Sequence, residues 1–183
     1  MHTDPIDSAI DELADDVEKA HALLKDDDSQ FHRRGYVRTL FAYLEGVTYW
    51  MRQNAIDIDK IILKRGGSID WDRHTLLGEE VPTIADNGKI QRRRQKASFK
   101  GRFAFSVRAY AEIVCCSEDI FGPGWQRLLE AVELRDRLMH PKQSADIIVS
   151  DENISACSDG YRWFANLMVN KFREFAKAMM EKS

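Results

Sequence analysis

The 183-residue sequence lacks the features that mark secreted, membrane-spanning and metal-binding proteins. Its three cysteines show no CxxC spacing, which argues against a disulfide framework and against a zinc site. Its five histidines form no HExxH pair, so we predict neither a metal nor a cofactor. No apolar run approaches the roughly 18 residues that a transmembrane helix needs, and the acidic N-terminal segment resembles no signal or transit peptide. The sequence therefore predicts a cytoplasmic protein without a membrane partner.

Charge is also unremarkable, because the formal net charge is only −3 and 31% of the residues are charged. A role in nucleic-acid binding must therefore depend on a local patch. The one acid-free basic run contains Lys89, Arg92, Arg93, Arg94, Lys96, Lys100 and Arg102. It is either a solvated linker or exposed helix start, or a strip that contacts phosphates. On the second interpretation Arg92, Arg93 and Arg94 bind the substrate.

Apolar residues recur at three- and four-residue steps along most of the chain, which predicts amphipathic helices. The predicted helices cover about 5–25, 30–58, 97–117 and 125–140, and a last helix begins after a cap at Ser150 or Asp151 and carries apolar residues to Met179. Between them, residues 81–91 predict a small hairpin around a type I′ turn at Asn87-Gly88. We expect one all-α domain over residues 1–183, a bundle of about five helices with this hairpin as an insertion.

The fourth predicted helix carries an arginine where an apolar residue is expected. At about 100° per residue, Arg135 lies about 20° from Leu128, within the stripe that also holds Val132 and Met139. Burying a lone guanidinium is costly, so Arg135 needs a partner, an interface or an anionic ligand. We expect a homodimer through this face, because an opposing surface would explain the apolar residues that flank Arg135.

His140 follows at the end of the same helix. Pro141 disfavours helical geometry in the residue before it, which frees the His140 imidazole to turn back toward Arg135. Asp136 precedes His140 by four residues on the same helical face and is predicted to orient one ring nitrogen. The three side chains are expected to form a guanidinium–carboxylate–imidazole cluster.

The segment LRDRLMHPK, residues 134–142, resembles the Rx4–6H motif of HEPN domains, in which a polar residue such as Asp136 commonly follows the arginine. The resemblance is close over about ten residues and extends loosely over most of the chain, through the order of its helices. It implies a dimer of helical bundles whose motif helices face each other. Many such domains are metal-independent endoribonucleases, often toxins or antiphage effectors.

The resemblance also implies a role for each residue. His140 would act as general base on a ribose 2′-hydroxyl or as acid to the leaving 5′-oxygen. Arg135 would hold the scissile phosphate as negative charge develops, and Asp136 would hold the imidazole. Arg137 and Lys142 would contact neighbouring phosphates. The expected products carry a 2′,3′-cyclic phosphate and a 5′-hydroxyl.

One position departs from the related HepT toxins, which have a tyrosine two residues after the histidine. Lys142 stands there, which argues against tyrosine modification and against the corresponding nucleotidyltransferase antitoxin. An antitoxin or regulatory partner of another kind stays open. So does a structural interpretation, in which Arg135 bonds helix-end carbonyls or an acid such as Glu45 and His140 is only a C-terminal cap. The chain would then be a non-catalytic HEPN-like dimerisation module or a nucleotide- or RNA-binding module.

Overall fold

The computed structural model describes residues 5–95, 97–114, 116 and 120–172, without the side chains of 5–7 and 171. In this part of the chain the fold is mostly helical, with six α-helices and one small two-stranded sheet, which confirms the predicted helical class. The elements are α1 (Pro5–Asp26), α2 (Gln30–Lys64), α3 (Trp71–Leu77), β1 (Glu80–Ile84), β2 (Ile90–Arg94), α4 (Phe99–Ile113), α5 (Pro123–Met139), a 3₁₀ helix (Ser144–Ile147), α6 (Asp151–Asn166) and a π-helical segment (Leu167–Phe172).

The chain divides into two compact units. The first unit comprises Met1–Val47 and Cys116–Ser183, and the second comprises Thr48–Cys115. Helix α2 therefore contributes its first half to one unit and its second half to the other. The single domain over residues 1–183 stays a prediction.

In the first unit, α5 and α6 pack closely because α6 has a glycine at the crossing point. A Cβ at Gly160 would lie 2.8 Å from the Cα of Leu128, closer than real Cβ contacts come. Helix α6 begins with a capping box in which the Ser150 hydroxyl accepts from the Asn153 amide and the Asn153 side chain accepts from the Ser150 amide. The buried face of α5 comprises Leu128, Ala131, Val132, Leu134 and Leu138. These contacts set the position of the end of α5.

The predicted apolar stripe of the second helix is confirmed along the first half of α2. Val37, Leu40 and Leu44 are fully buried. The start of α2 is fixed by Arg33, which donates to the carbonyl of Val149 at 2.9 Å and forms ion pairs with Asp28 and Asp151. In the first unit α2 is therefore held at its start and along its buried face.

The second unit contains the hairpin and two capped helices. The Asp70 side chain accepts from the backbone amide of Arg73 at the start of α3, and Ser98 accepts from Gly101 at the start of α4. A small apolar cluster joins the helices of this unit through Ala55, Leu77 and Ala109. Helix α3 was not predicted from the sequence.

The hairpin is confirmed, but the predicted turn type is wrong. A type I′ turn needs positive φ at both central residues, here Asn87 and Gly88. Gly88 has φ 75°, but Asn87 does not have positive φ, because Glu79, outside the turn, is the one described non-glycine residue that does. The Ala85 amide donates to the Lys89 carbonyl at 2.9 Å, so a three-residue loop closes the hairpin. Strand β2 also continues beyond the predicted end to Arg94, and the three arginines 92–94 are strand residues. The interpretation of this run as linker or helix start is therefore wrong for the three arginines, whereas Lys100 and Arg102 do lie in the first turn of α4.

Other differences concern helix ends. Helix α2 runs to Lys64 rather than to about 58, and α6 gives way to the π-helical segment after Asn166. The predicted apolar residues Phe175 and Met179 lie outside the described residues, as does Cys115. No described helix is both long and apolar enough to cross a bilayer.

Candidate functional site

The end of α5 has the geometry that Pro141 predicts. Helix α5 ends at Met139, and His140 has φ −133° and ψ 58°, outside the helical region. The His140 amide still donates to the carbonyl of Asp136 at 3.1 Å, which closes the last turn. Backbone geometry thus changes at His140, and its side chain leaves the helical pattern.

Arg135 lies on the buried side of α5, and its guanidinium is held by two carboxylates. Nη1 donates to Oδ1 of Asp136 at 2.9 Å, and Nη2 donates to Oε1 of Glu45 on α2. The Arg135 side chain is 23% exposed, whereas those of Glu45 and Asp136 are 45% and 57% exposed. The partner that the apolar stripe demands is therefore present within the chain, and it is the acid named in the structural interpretation.

Asp136 does not orient His140, which corrects the prediction. Its carboxylate binds Arg135, and no hydrogen bond or ion pair joins the His140 ring to any residue that the structure describes. The predicted contact assumed an (i, i+4) relation, which holds only while both residues are helical. His140 is exposed, so its imidazole is accessible to a ligand.

A groove of about 250 Å³ lies beside Arg135, between α2 and α5 of the first unit. Its lining includes Val37, Phe41, Leu138 and half-exposed Met139, and on the polar side Arg38, Glu45 and Arg135. Arg38 is exposed and forms no ion pair with the described residues. The groove therefore combines an apolar wall with two guanidinium groups, of which that of Arg135 is already bound by the Glu45 carboxylate.

Arg137 and Lys142, the predicted phosphate contacts, lie on either side of the motif's end. The Arg137 guanidinium donates to the Ile148 carbonyl at 3.4 Å and to Oδ1 of Asn153 at 3.3 Å, so it braces the start of α6. Lys142 is exposed, and its backbone amide donates to Oδ2 of Asp146 at 2.7 Å. That hydrogen bond is the main cause of the lowered pKa of the Asp146 carboxyl. The Lys142 ammonium forms no ion pair with the described residues and is accessible to a ligand, whereas the Arg137 guanidinium is already hydrogen-bonded within the fold.

The predicted substrate arginines 92–94 belong to the second unit. Arg92 lies 3.7 Å from a carboxylate oxygen of Glu80, and Arg94 lies 3.5 Å from one of Glu79. Both arginine side chains are more than three-quarters exposed. They are accessible to an anion, although each has a carboxylate within reach.

The second unit contains a buried carboxylate that was not predicted from the sequence. Asp59 is fully buried, and its two oxygens accept from Nη2 of Arg73 at 2.5 Å and from Nδ1 of His74 at 2.9 Å. His74 lines a groove of about 350 Å³ together with Trp71 and Arg92. Asp59 continues the four-residue spacing of the buried Met51 and Ala55 along α2, and this local signal of a buried acid was not used in the prediction. Within the described residues no group of three or more His, Cys, Asp or Glu side chains is arranged to hold a metal.

Cys157, which the sequence places on the apolar stripe of the last helix, is a packing residue. Its side chain is fully buried, and burial raises the pKa of its thiol to about 12. A thiol with so high a pKa is a poor nucleophile near neutral pH.

No protein-family model, no curated protein and no solved structure matches this chain.

Proposed function

We propose that the chain is a HEPN-type endoribonuclease that cleaves RNA without a metal, with Arg135 and His140 acting on the scissile phosphodiester. The observation that carries the proposal is the end of α5. There a guanidinium lies at the edge of a groove, and an exposed histidine without a described side-chain partner ends the same helix. Both residues also occupy the Rx4H positions of the motif that the sequence resembles.

The ion pairs of Arg135 are compatible with binding a phosphate. Ion pairs with exposed partners contribute little to stability, typically below about 1 kcal/mol, because water competes well for both groups. Glu45 and Asp136 are both about half exposed, so either carboxylate can turn into solvent. A planar guanidinium can then form two parallel hydrogen bonds to phosphate oxygens. In the free protein the carboxylates hold Arg135 in place.

The proposed reaction follows from the residue types. The His140 imidazole removes the proton of a ribose 2′-hydroxyl, and the 2′-oxygen attacks the adjacent phosphorus. The bond to the 5′-oxygen breaks, and that oxygen takes up a proton as it leaves. Arg135 stabilises the additional negative charge on the phosphorane. The products are a 2′,3′-cyclic phosphate and a 5′-hydroxyl.

A homodimer belongs to the same proposal. In a dimer through α5, one His140 can serve as base and the partner's His140 as acid. Met139 is 50% exposed at the edge of the groove, which gives a second subunit an apolar surface to cover. Light scattering at micromolar concentration should report twice the monomer mass, and a monomer would remove the second histidine from the mechanism.

The test is RNA cleavage in EDTA by the purified full chain. Wild type should produce ends with 2′,3′-cyclic phosphate, and His140→Ala and Arg135→Ala should each lower the rate about 100-fold or more. Arg162→Ala is the matched control, because Arg162 is an exposed arginine of α6 that pairs only with Asp159 among the described residues. Circular dichroism should show that all variants keep the helical fold. Cleavage that persists in His140→Ala would contradict the assignment.

A non-catalytic module is the second candidate, and one observation favours it. Both terminal nitrogens of the Arg135 guanidinium are bound by carboxylates of the same chain. If those bonds are permanent, Arg135 is a structural brace and the domain serves in dimerisation or in nucleotide or RNA binding. Wild type that binds RNA but leaves it intact at every concentration would support this candidate. A role as a toxin or in defence, with a regulatory partner, applies only to the enzyme.

A further inference from the structure

The second unit contains a pocket that the motif does not involve. It has a volume of about 220 Å³, and its lining comes from α2, from the end of α3 and from the start of α4. The residues that carry its chemistry are Arg52, Glu79, Gln95, Gly101, Arg102 and Phe105. All of them lie within Thr48–Cys115, so the pocket belongs to a single unit.

Positive charge exceeds negative charge in this pocket. Glu79 forms an ion pair with Nη1 of Arg52, accepts from Nη1 of Arg102 at 3.2 Å, and lies 3.5 Å from Nη2 of Arg94. Two of these guanidinium groups, those of Arg52 and Arg102, line the pocket together with the one carboxylate, which leaves an excess of one positive charge in the lining; the largely exposed Arg94 adds a third guanidinium beside it. Burial would raise the pKa of the Glu79 carboxyl, but Arg52 and Arg102 outweigh it and the pKa is lowered. Glu79 is therefore ionised at neutral pH and still cannot balance the cluster.

Arg52 also has a donor without an acceptor. Its side chain is 9% exposed, and its Nε is buried with no hydrogen-bond partner among the described residues. Its guanidinium carbon lies 5.7 Å from the centre of the Tyr49 ring, which adds a favourable contact but no acceptor. A buried unsatisfied donor is costly, so the ion pair with Glu79 and the contact with Tyr49 have to offset the burial of this guanidinium.

The start of α4 adds to the attraction for anions. Ala97 and Gly101 line the pocket at the N-terminus of this 15-residue helix, and its first turn contains Lys100 and no acid. The N-terminal end of a helix carries partial positive charge and unpaired amide groups. This effect reinforces the arginine cluster, which stands on its own.

We propose that this pocket binds a small phosphate monoester, with Arg52 and Arg102 contacting the phosphate. A phosphate monoester carries close to two negative charges at pH 7, and both the excess positive charge of the lining and the nearby Arg94 guanidinium attract it. Phe105 and Leu76 give the pocket an apolar side for the organic part of the ligand. The volume is below the roughly 300–1,000 Å³ of pockets for drug-sized molecules, so the ligand is about as large as a sugar phosphate. The site is independent of Arg135 and His140.

The proposal is tested by calorimetric titration of the full chain with ribose 5-phosphate, with ribose as the uncharged control. Wild type should bind ribose 5-phosphate and not ribose. Arg102→Ala should weaken binding about tenfold or more, because hydrogen bonds to charged groups are the stronger ones. Arg65→Ala removes the same charge from an exposed position just after α2 and should leave affinity unchanged. Arg102 is about one-third exposed, so we expect the variant to fold, and circular dichroism checks this.

Glu79→Gln gives a result of opposite sign. Removing the carboxylate removes a charge that repels the phosphate, so binding should tighten while circular dichroism stays that of the wild type. Three results would overturn the proposal: no heat from millimolar ribose 5-phosphate, equal affinity in Arg102→Ala and Arg65→Ala, or weaker binding in a folded Glu79→Gln variant. Binding of ribose itself with equal affinity would also overturn it, since the phosphate would then not be the group that the pocket recognises.

Discussion

Arg135 and Arg52 face opposite charge balances in the two units. At the end of α5, two carboxylates share one guanidinium, and both acids are about half exposed. Around Glu79, three guanidinium groups share one carboxylate, and the Arg52–Glu79 pair is largely buried. An acidic excess restrains an arginine until a stronger anion displaces its partners, whereas a basic excess attracts an anion directly. Under the two proposals, a phosphate at the end of α5 therefore has to displace the carboxylates from Arg135, whereas a phosphate near Glu79 meets an excess of positive charge.

The largest expected effect is on stability, from removing one acid of each pair. Glu79→Ala leaves Arg52 buried without its charge partner and should lower the free energy of unfolding by about 3–5 kcal/mol. Glu45→Ala breaks a more exposed pair and should lower it by less than about 1 kcal/mol. Urea unfolding followed by circular dichroism measures both. Equal losses of unfolding free energy in the two variants would show that the difference in burial between the two ion pairs does not affect stability.

Next in size is the effect of a methyl group between α5 and α6, which set the position of Arg135. Gly160→Ala places a Cβ against the backbone of Leu128 and should cost about 1–3 kcal/mol. Gly35→Ala on α2 meets nothing within 4 Å and should stabilise by about 0.5–1 kcal/mol, because alanine favours a helix. Thermal unfolding of both variants gives the sign. A stable Gly160→Ala would mean that α5 can shift, and with it Arg135.

The contribution of Glu79 to the pH dependence of stability is a smaller effect, and it belongs to the second unit. The pKa of Glu79 is lower in the folded chain than its usual value, so its contribution is complete above the unfolded value of about 4.3. The contribution is lost as the pH falls through the lower folded pKa. Stability should therefore decrease below about pH 4.3, and less steeply in Glu79→Gln than in wild type. Parallel curves for the two proteins would contradict this origin.

The smallest effect concerns the basic strand. Replacing Arg92, Arg93 and Arg94 by glutamine should leave stability nearly unchanged and reduce the salt dependence of RNA binding. The reduction should be less than three released counterions, because Arg92 and Arg94 already lie near Glu80 and Glu79. Binding at a series of salt concentrations measures the slope. If the salt dependence of RNA binding is the same in the variant as in wild type, the strand does not contact phosphates.

Local patterns predicted the elements that are long or sharply punctuated. The stripe of α2, the hairpin at Asn87-Gly88 and the stop before Pro141 all follow from residues close together in the chain. Helix α3 was missed because seven residues are too few to show a helical period. The predicted contact between Asp136 and His140 was wrong because His140 itself leaves the helix.

The arginine cluster could not be predicted for a different reason. Arg102 and Glu79 are 23 residues apart, and Arg52 lies on another helix, so only folding brings their charges together. Arg135 could be predicted because the signal is local: a charged residue stands within the apolar stripe of a single helix. Its partner Glu45 is 90 residues away, and the sequence could only name it as one alternative.

The central claim is that His140 transfers a proton during RNA cleavage. The most direct measurement is the single-turnover cleavage rate of a labelled RNA in EDTA, for wild type and His140→Ala, with the chemistry of the new ends read by mass spectrometry. We expect 2′,3′-cyclic phosphate ends from wild type and a rate lower by about 100-fold or more in the variant. Equal rates in the two proteins, or no cleavage by a folded wild type, would contradict it.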